Sequence, residues 1–183
     1  MNKVVKNNFK QSKKGQIWIE TVVYTLIAFA ILGAVLSVVK PRLEKIQDKS
    51  IIEQSIKMME EIDSTIREID SASGNKRQIE LNIKKGSLKI DGEKDIIVFD
   101  IESKLTYSEP GEIYKKGEIS ITNEKIGELN KLNATLDYTG KYDLRWNMKD
   151  NMELLTKSSE SYNIFVSNDK DENGVDIINF EFG

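Results

Sequence analysis

Hydrophobic and polar residues follow three patterns along this chain, and each pattern predicts a different structure. From Thr21 to Val39 there is no charged residue, and the run approaches the ~20 apolar residues with which a helix crosses a bilayer core. The next segment, Arg42–Ile69, has apolar residues mostly three or four positions apart, the period of one face of a helix. Beyond Arg77 apolar and polar residues mostly alternate, as they do in half-buried β-strands.

The first two patterns together predict one long helix over residues 16–70. Residues 16–39 would be the membrane or filament-core part, and residues 40–70 the amphipathic part. Because proline removes a helical hydrogen bond, we expect a bend or a short break near Ser37–Pro41. The turn-forming residues Ser71–Asn75 end the helix. We expect the C-terminal domain, rather than partner helices in a coiled coil, to cover the apolar stripe.

The alternating pattern predicts a β-rich head domain over residues 76–183, with eight or nine strands about ten residues apart. The clearest hairpin runs over 132–148 and turns at Thr139-Gly140. The nearly continuous apolar run Ile96–Ile101 predicts a central strand buried on both faces. The fold class is therefore α+β, a long N-terminal helix followed by an antiparallel β-sandwich-like head or a strongly curved sheet.

Charge is distributed unevenly along the chain. The segment Met1–Gly15 holds five lysines and no acid, and without them the chain's 27 basic residues fall to 22 against 30 acidic ones, a net charge of −8. A basic N-terminus followed by an acidic remainder fits a single-pass orientation with the N-terminus in the cytoplasm. The acidic remainder argues against nucleic acid as a partner, which requires clustered Lys and Arg.

The junction between the basic segment and the apolar run carries a more specific motif. Lys13, Lys14 and Gly15 come directly before Gln16, and Glu20 is the only carboxylate at the start of the apolar run. This arrangement resembles the class III signal peptide of type IV pilins, and the Gly-Gln junction with Trp18–Thr21 is most similar to the archaeal pilins. The resemblance covers about the first third of the chain.

The resemblance implies a function and a set of site residues. A prepilin peptidase would remove the leader, residues 1–15, by cutting between Gly15 and Gln16 after the basic pair Lys13-Lys14. The mature chain would wait in the membrane with its head outside the cell. The pilus assembly machinery would then build it into a surface filament of the archaeal type IV class. In that filament Glu20 would pair with the new amino group of Gln16 on a neighbouring subunit.

Two alternatives remain open at this point. A minor pilin or pseudopilin would carry nearly the same sequence features as a major subunit. A membrane-anchored surface module that binds calcium or a glycan, with a calcium-binding loop as its candidate site, would keep its leader and form no filament. Whatever the filament contacts, through adhesion or otherwise, leaves no mark in the sequence.

Candidate chemistry is sparse, and we expect no enzymatic activity. The chain contains no cysteine and no histidine, which excludes Cys nucleophiles, His general bases and Cys/His zinc sites. The run Asp169–Gly174 resembles the first half of a calcium loop, in which Asp169, Asp171 and Asn173 would be the Ca²⁺ ligands. Phe180 stands where the bidentate glutamate belongs, so an acidic hairpin turn without a cofactor is the preferred interpretation.

Two further features belong to the predicted head. Asn133-Ala134-Thr135 is an N-glycosylation sequon, and on an exported protein Asn133 would be the acceptor. The aromatic residues Tyr138, Tyr142 and Trp146 stand at strand spacing, which favours core packing over a ligand platform.

Overall fold

The computed structural model describes residues 13–71, 74–170 and 174–183, and it describes helical side chains from Ile17 onward. Within these described ranges one helix, α1, spans Lys13–Asp70, and ten β-strands follow it. The chain forms two compact units, one up to Glu44 and one over Lys45–Gly183. The predicted α+β class, with a long N-terminal helix and a β-rich head, is confirmed.

The ten strands form two sheets. A four-stranded sheet has the order β1-β9-β10-β7, and a six-stranded sheet has the order β4-β5-β6-β3-β2-β8. Every strand pair is antiparallel except β10–β7, which is parallel. The strands are β1 Lys76–Leu81, β2 Ser87–Asp91, β3 Ile96–Ser103, β4 Ile113–Lys116, β5 Ile119–Ile126, β6 Leu129–Asp137, β7 Asp143–Trp146, β8 Met152–Thr156, β9 Tyr162–Lys170 and β10 Asp176–Phe182.

The core of the second unit joins both sheets to the second half of α1. The helix contributes a stripe of buried residues at helical spacing, and each sheet contributes the alternate residues of its inner face, such as Phe99 and Phe180. Burial of such an apolar stripe is favourable, and a stripe left in water would not contribute this free energy to folding. The C-terminal domain therefore covers the amphipathic half of the helix. The helical residues of the core are Ile52, Ile56, Met58, Met59, Ile62, Ile66 and Ile69.

The predicted hairpin around Thr139-Gly140 is wrong. β6 lies in the six-stranded sheet between β5 and β3, whereas β7 lies in the four-stranded sheet beside β10. The connection is a tight turn in which Lys141 N and Tyr142 N both donate to the carbonyl of Tyr138. Alternation on both sides of a turn shows that each strand has one buried face, but it does not identify the partner of either strand.

Two smaller predictions also need correction. Ile96–Ile101 belongs to the interior strand β3, but only its alternate residues Ile97, Phe99 and Ile101 are fully buried, so one face of this strand is half-exposed. Of the bend or short break predicted near Ser37–Pro41, the break is wrong, because helix α1 continues through Pro41. Pro41 removes one backbone donor, a loss that can kink a helix without ending it.

A turn in the second unit offers a simple test of backbone strain. Asn147 and Met148 both have positive φ, 52° and 61°, and Trp146 and Lys149 exchange two backbone hydrogen bonds around them. A two-residue turn with positive φ at both positions favours Asn-Gly, because a side chain at the second position is strained. We therefore expect Met148→Gly to raise the free energy of unfolding by roughly 1 kcal/mol, measured by chemical denaturation of residues 45–183. Met148→Ala is the matched control, because it shortens the side chain but keeps the strained Cβ.

Candidate functional site: the N-terminal helix

The first part of α1 exposes its apolar side chains on all sides. No residue in the apolar window of this segment is buried within the described chain, and large side chains such as Trp18 and Phe29 are 71% and 65% exposed. By length and composition α1 can cross a membrane. Apolar surface on every side of a helix is stable only in lipid or among other apolar helices. This segment therefore needs an environment that the described part of the chain does not provide.

The threonine and serine hydroxyls of this segment are already satisfied within the helix. Thr21 and Thr25 donate to the carbonyls of Ile17 and Thr21 at 3.0 and 2.8 Å, and Ser37 donates to that of Ala34 at 2.7 Å. A hydroxyl in hydrocarbon is costly unless it has a hydrogen-bond acceptor. Because each of these hydroxyls bonds to a preceding turn, none of them requires a partner outside its own helix.

Glu20 is the exception in this segment. It is an exposed residue near the start of the apolar run, and the sequence carries no Lys or Arg between Gly15 and Val39. A carboxylate held in an apolar environment costs a few kcal/mol unless it is paired. Any cation that pairs with Glu20 therefore comes from the residues before Gly15, from a new amino group or from another molecule.

The four predicted cleavage residues lie on the same helix as Glu20. Lys13, Lys14, Gly15 and Gln16 form the first turn of α1, and their side chains lie outside the described residues. Gln16 and Glu20 are four positions apart, which is about one helical turn. Gln16, which follows the predicted cleavage point, and Glu20 therefore lie along one face of the helix.

Small residues line one side of the apolar segment. Ala30, Gly33, Ala34 and Ser37 are spaced by three, one and three positions, which places them along one helical face. A Cβ built on Gly33 meets nothing within 4 Å. The groove that this face provides is open to a second helix, and small residues allow the closest helix approach in membranes.

The second half of α1 is held to the head by three aspartates that the sequence analysis did not single out. Asp48 accepts a hydrogen bond from the Ser103 hydroxyl at 2.7 Å, Asp63 from the Tyr138 phenol at 3.0 Å, and Asp70 from the Tyr142 phenol at 2.9 Å. The sequence did contain a signal for Asp63, because this carboxylate lies within the apolar stripe of the helix. In the structure only 4% of its surface is exposed. A buried carboxylate requires such partners.

The titration properties of these groups follow from their surroundings. Burial, and then the Asp63 carboxylate, raise the pKa of the Tyr138 phenol far above its ordinary value. Burial and the hydrogen bond to Asp70 raise the pKa of Tyr142 to about 12. Burial raises the pKa of Asp48, but the hydrogen bonds from Lys85 and Ser103 outweigh this effect and leave that pKa below its ordinary value. Both phenols thus remain proton donors to the helix at neutral pH.

The three aromatic residues singled out in the sequence are core residues, as predicted. Tyr138, Tyr142 and Trp146 are 3%, 4% and 2% exposed. The rings of Tyr138 and Tyr142 lie 5.7 Å apart, centroid to centroid. None of these three rings forms a surface on which a ligand could stack.

The sequon residue Asn133 lies in the middle of β6. It pairs with Asp100 on β3 and Thr122 on β5, and it is half-exposed on the outer face of the six-stranded sheet. Thr135, the third sequon residue, lies on the same face. The amide nitrogen that a glycan would occupy therefore belongs to a paired strand rather than to a turn.

Only one of the predicted calcium ligands lies among the described residues. Asp169 is an exposed residue of β9, and its Oδ1 accepts a hydrogen bond from the Lys170 backbone at 3.1 Å. Asp171 and Asn173 lie outside the described residues. The flanks β9 and β10 form an antiparallel hairpin, and Lys170 and Asp176 form a 2.9 Å ion pair across it. Among the described residues no group of three or more acidic side chains is arranged to hold a metal ion.

The comparisons with known proteins identify no relative. No family model matches the chain, and neither a curated protein nor a solved structure is similar to it. The class that the fold defines is a chain with a long, partly apolar N-terminal helix and a two-sheet β head.

Proposed function

We propose that this chain is a structural subunit of an archaeal type IV pilus-like surface filament, made as a prepilin and cut after Gly15. The observation that carries the proposal is the division of α1. Its first segment exposes apolar side chains on every side, and its second segment buries one stripe in the head. Such a helix serves a subunit that is stored in a membrane and then assembled with other copies through the first segment.

Cleavage and orientation follow from the same segment. The five lysines of the leader favour a cytoplasmic N-terminus, and the remaining chain, with its net charge of −8, belongs on the outer side. Removal of the leader creates an amino group on Gln16 at the membrane boundary. That amino group is a cation in a segment of the cleaved chain that contains no Lys or Arg.

Assembly would exchange lipid contacts for helix contacts. The apolar segments of several copies would pack along the filament axis, with the face of Ala30, Gly33 and Ala34 allowing close approach. In such a water-free core the attraction between Glu20 and the amino group of Gln16 on a neighbouring copy is stronger than in water. This pair would set the axial position of one subunit against the next.

The decisive experiment is to determine the N-terminal residue of the native protein. Material from cell membranes and from sheared surface fractions would be analysed by mass spectrometry of intact chains. We expect a start at Gln16, with the sheared fraction enriched in the cleaved form. A matched variant, Gly15→Leu, should keep its leader and stay in the membrane fraction.

Other outcomes lead to different functions. An intact N-terminus in every fraction would identify an uncleaved membrane-anchored module and would overturn the filament proposal. Cleaved chains that occur only in trace amounts within filaments built from another protein would identify a minor subunit.

A further inference from the structure

Among the described residues of the head, four of the eight exposed large apolar side chains lie on two strands. In the six-stranded sheet, Ile113 and Tyr114 on β4 are 66% and 49% exposed, and Met152 and Leu154 on β8 are 53% and 50% exposed. Of the four interior strands, β6, β3 and β2 carry no large apolar side chain as exposed as these four, and β5 carries one, Ile126, at its end. β4 and β8 are the two edge strands of the sheet. Edges of soluble proteins usually carry features that prevent pairing, and exposed apolar edges favour it.

The two edges have the directions that a repeating contact requires. From β4 to β8 the sheet contains five successive antiparallel pairs, so its edge strands run in opposite directions. A second copy moved sideways along the sheet would therefore bring its β4 antiparallel to β8 of the first copy. Each copy offers both edges, so such a contact joins copies head to tail. The resulting row of copies need not close into a ring.

The faces of the two edges also correspond. One row of paired residues crosses the whole sheet from Leu154 to Lys115, through Lys89, Val98, Thr135 and Ser120. Leu154 and Lys115 therefore lie on the outer face, as does Ile113, two positions before Lys115. Tyr114 lies on the inner face, opposite the fully buried Ile121.

Charge and space along the edges are complementary. β4 contains Lys115 and Lys116 and no acid, whereas β8 contains Glu153 and no base. Lys116 and Glu153 pair with the buried Ile119 and Ile90, so these opposite charges both lie on the inner face. Lys116 also forms a 3.0 Å ion pair with Glu60 on α1, and Lys115 is the outward cation of β4. A cavity of about 470 Å³ lies beside β4 and is lined by Tyr107, Ser108, Glu109, Glu112, Ile113 and Tyr114. The lining shows that the space beside β4 is open and partly apolar.

We infer that the partner of these edges is a second copy of this chain, whose β8 pairs antiparallel with β4 and continues the six-stranded sheet from one head to the next. The inference rests on the proposed filament, since it names the contact between the heads of neighbouring subunits. Main-chain hydrogen bonds along the two edges would supply the attraction, and the apolar side chains on the outer face would fix the register.

Because the chain contains no cysteine, introduced cysteine pairs test this contact directly. Cells would carry full-length chains with Leu154→Cys and Ile113→Cys, or with Leu154→Cys and Lys115→Cys. Facing residues of antiparallel strands are close enough for a disulfide, with Cα atoms about 4.5–5.5 Å apart. After mild oxidation we expect a ladder of dimers, trimers and larger species that reduction abolishes, and the pair that gives it identifies the register.

The control pair is Leu154→Cys with Tyr114→Cys. It differs from the test pairs by one position on β4, but it places the two sulfur atoms on opposite faces, so no ladder should form. A ladder of equal strength in this control would show random collision and would overturn the inference. No ladder in either test pair, in filaments whose subunits begin at Gln16, would overturn the head contact and leave the filament proposal standing. A ladder among chains that keep Met1 would support the head contact while the filament proposal fails.

Discussion

Replacing Glu20 by glutamine is expected to leave cleavage after Gly15 intact and to remove filaments from the sheared surface fraction. Glutamine keeps nearly the size of the side chain and removes its charge. The variant chain should still insert, since losing a charge lowers the cost of placing the residue in the membrane by as much as a few kcal/mol. In the proposed filament, the variant would lose the attraction to the amino group of Gln16 on the next subunit, which would act in a low-dielectric core.

The measurement is the amount of subunit in the sheared fraction, together with the mass of the chain in the membrane fraction. Thr21→Val is the matched control, because the Thr21 hydroxyl bonds to the Ile17 carbonyl of its own helix. The Thr21→Val variant should assemble normally if only an unpaired charge needs a partner on a neighbouring chain. Normal filaments from Glu20→Gln chains would contradict the role that we assign to this carboxylate.

The elements of this fold could be predicted from the sequence because each has its own period. The change from a charge-free run to a three-to-four spacing and then to alternation separates the apolar helix, the amphipathic helix and the strands. Strand pairing could not be predicted in the same way. Asp91-Gly92 does connect the paired strands β2 and β3, whereas Thr139-Gly140 connects strands in different sheets. The difference lies in long-range packing, which no local pattern records.

The residues of the candidate site divide in the same way, into those that a local pattern indicates and those that long-range packing determines. Lys13–Gln16 and Glu20 could be proposed as site residues because their features are contiguous along the chain, and their roles stay a prediction. The partners of Asp63 and Asp70 could not, because Tyr138 and Tyr142 lie 75 and 72 positions away. A carboxylate within an apolar stripe does indicate a buried polar contact. The residue that completes the contact is determined by how the helix packs on the sheets.

Ile62→Ala is expected to destabilise the head by roughly 2–5 kcal/mol, the cost of removing a large aliphatic side chain from a packed core. Ile62 is fully buried, and it belongs to the cluster that joins α1 to both sheets. The free energy of unfolding would be measured by chemical denaturation of residues 45–183, which form one compact unit. The control is Glu61→Ala, one position away on the exposed face of the helix, where a change within about 0.5 kcal/mol is expected.

This comparison tests more than core packing. If the second half of α1 served mainly to pair with helices of other subunits, Ile62→Ala would change the stability of an isolated unit little and would weaken association instead. A loss of several kcal/mol in the isolated unit would mean that the stripe is already used within the subunit. Only the first segment of the helix would then be available for assembly, and the axial contact would depend on Glu20 and the small-residue face of residues 30–37.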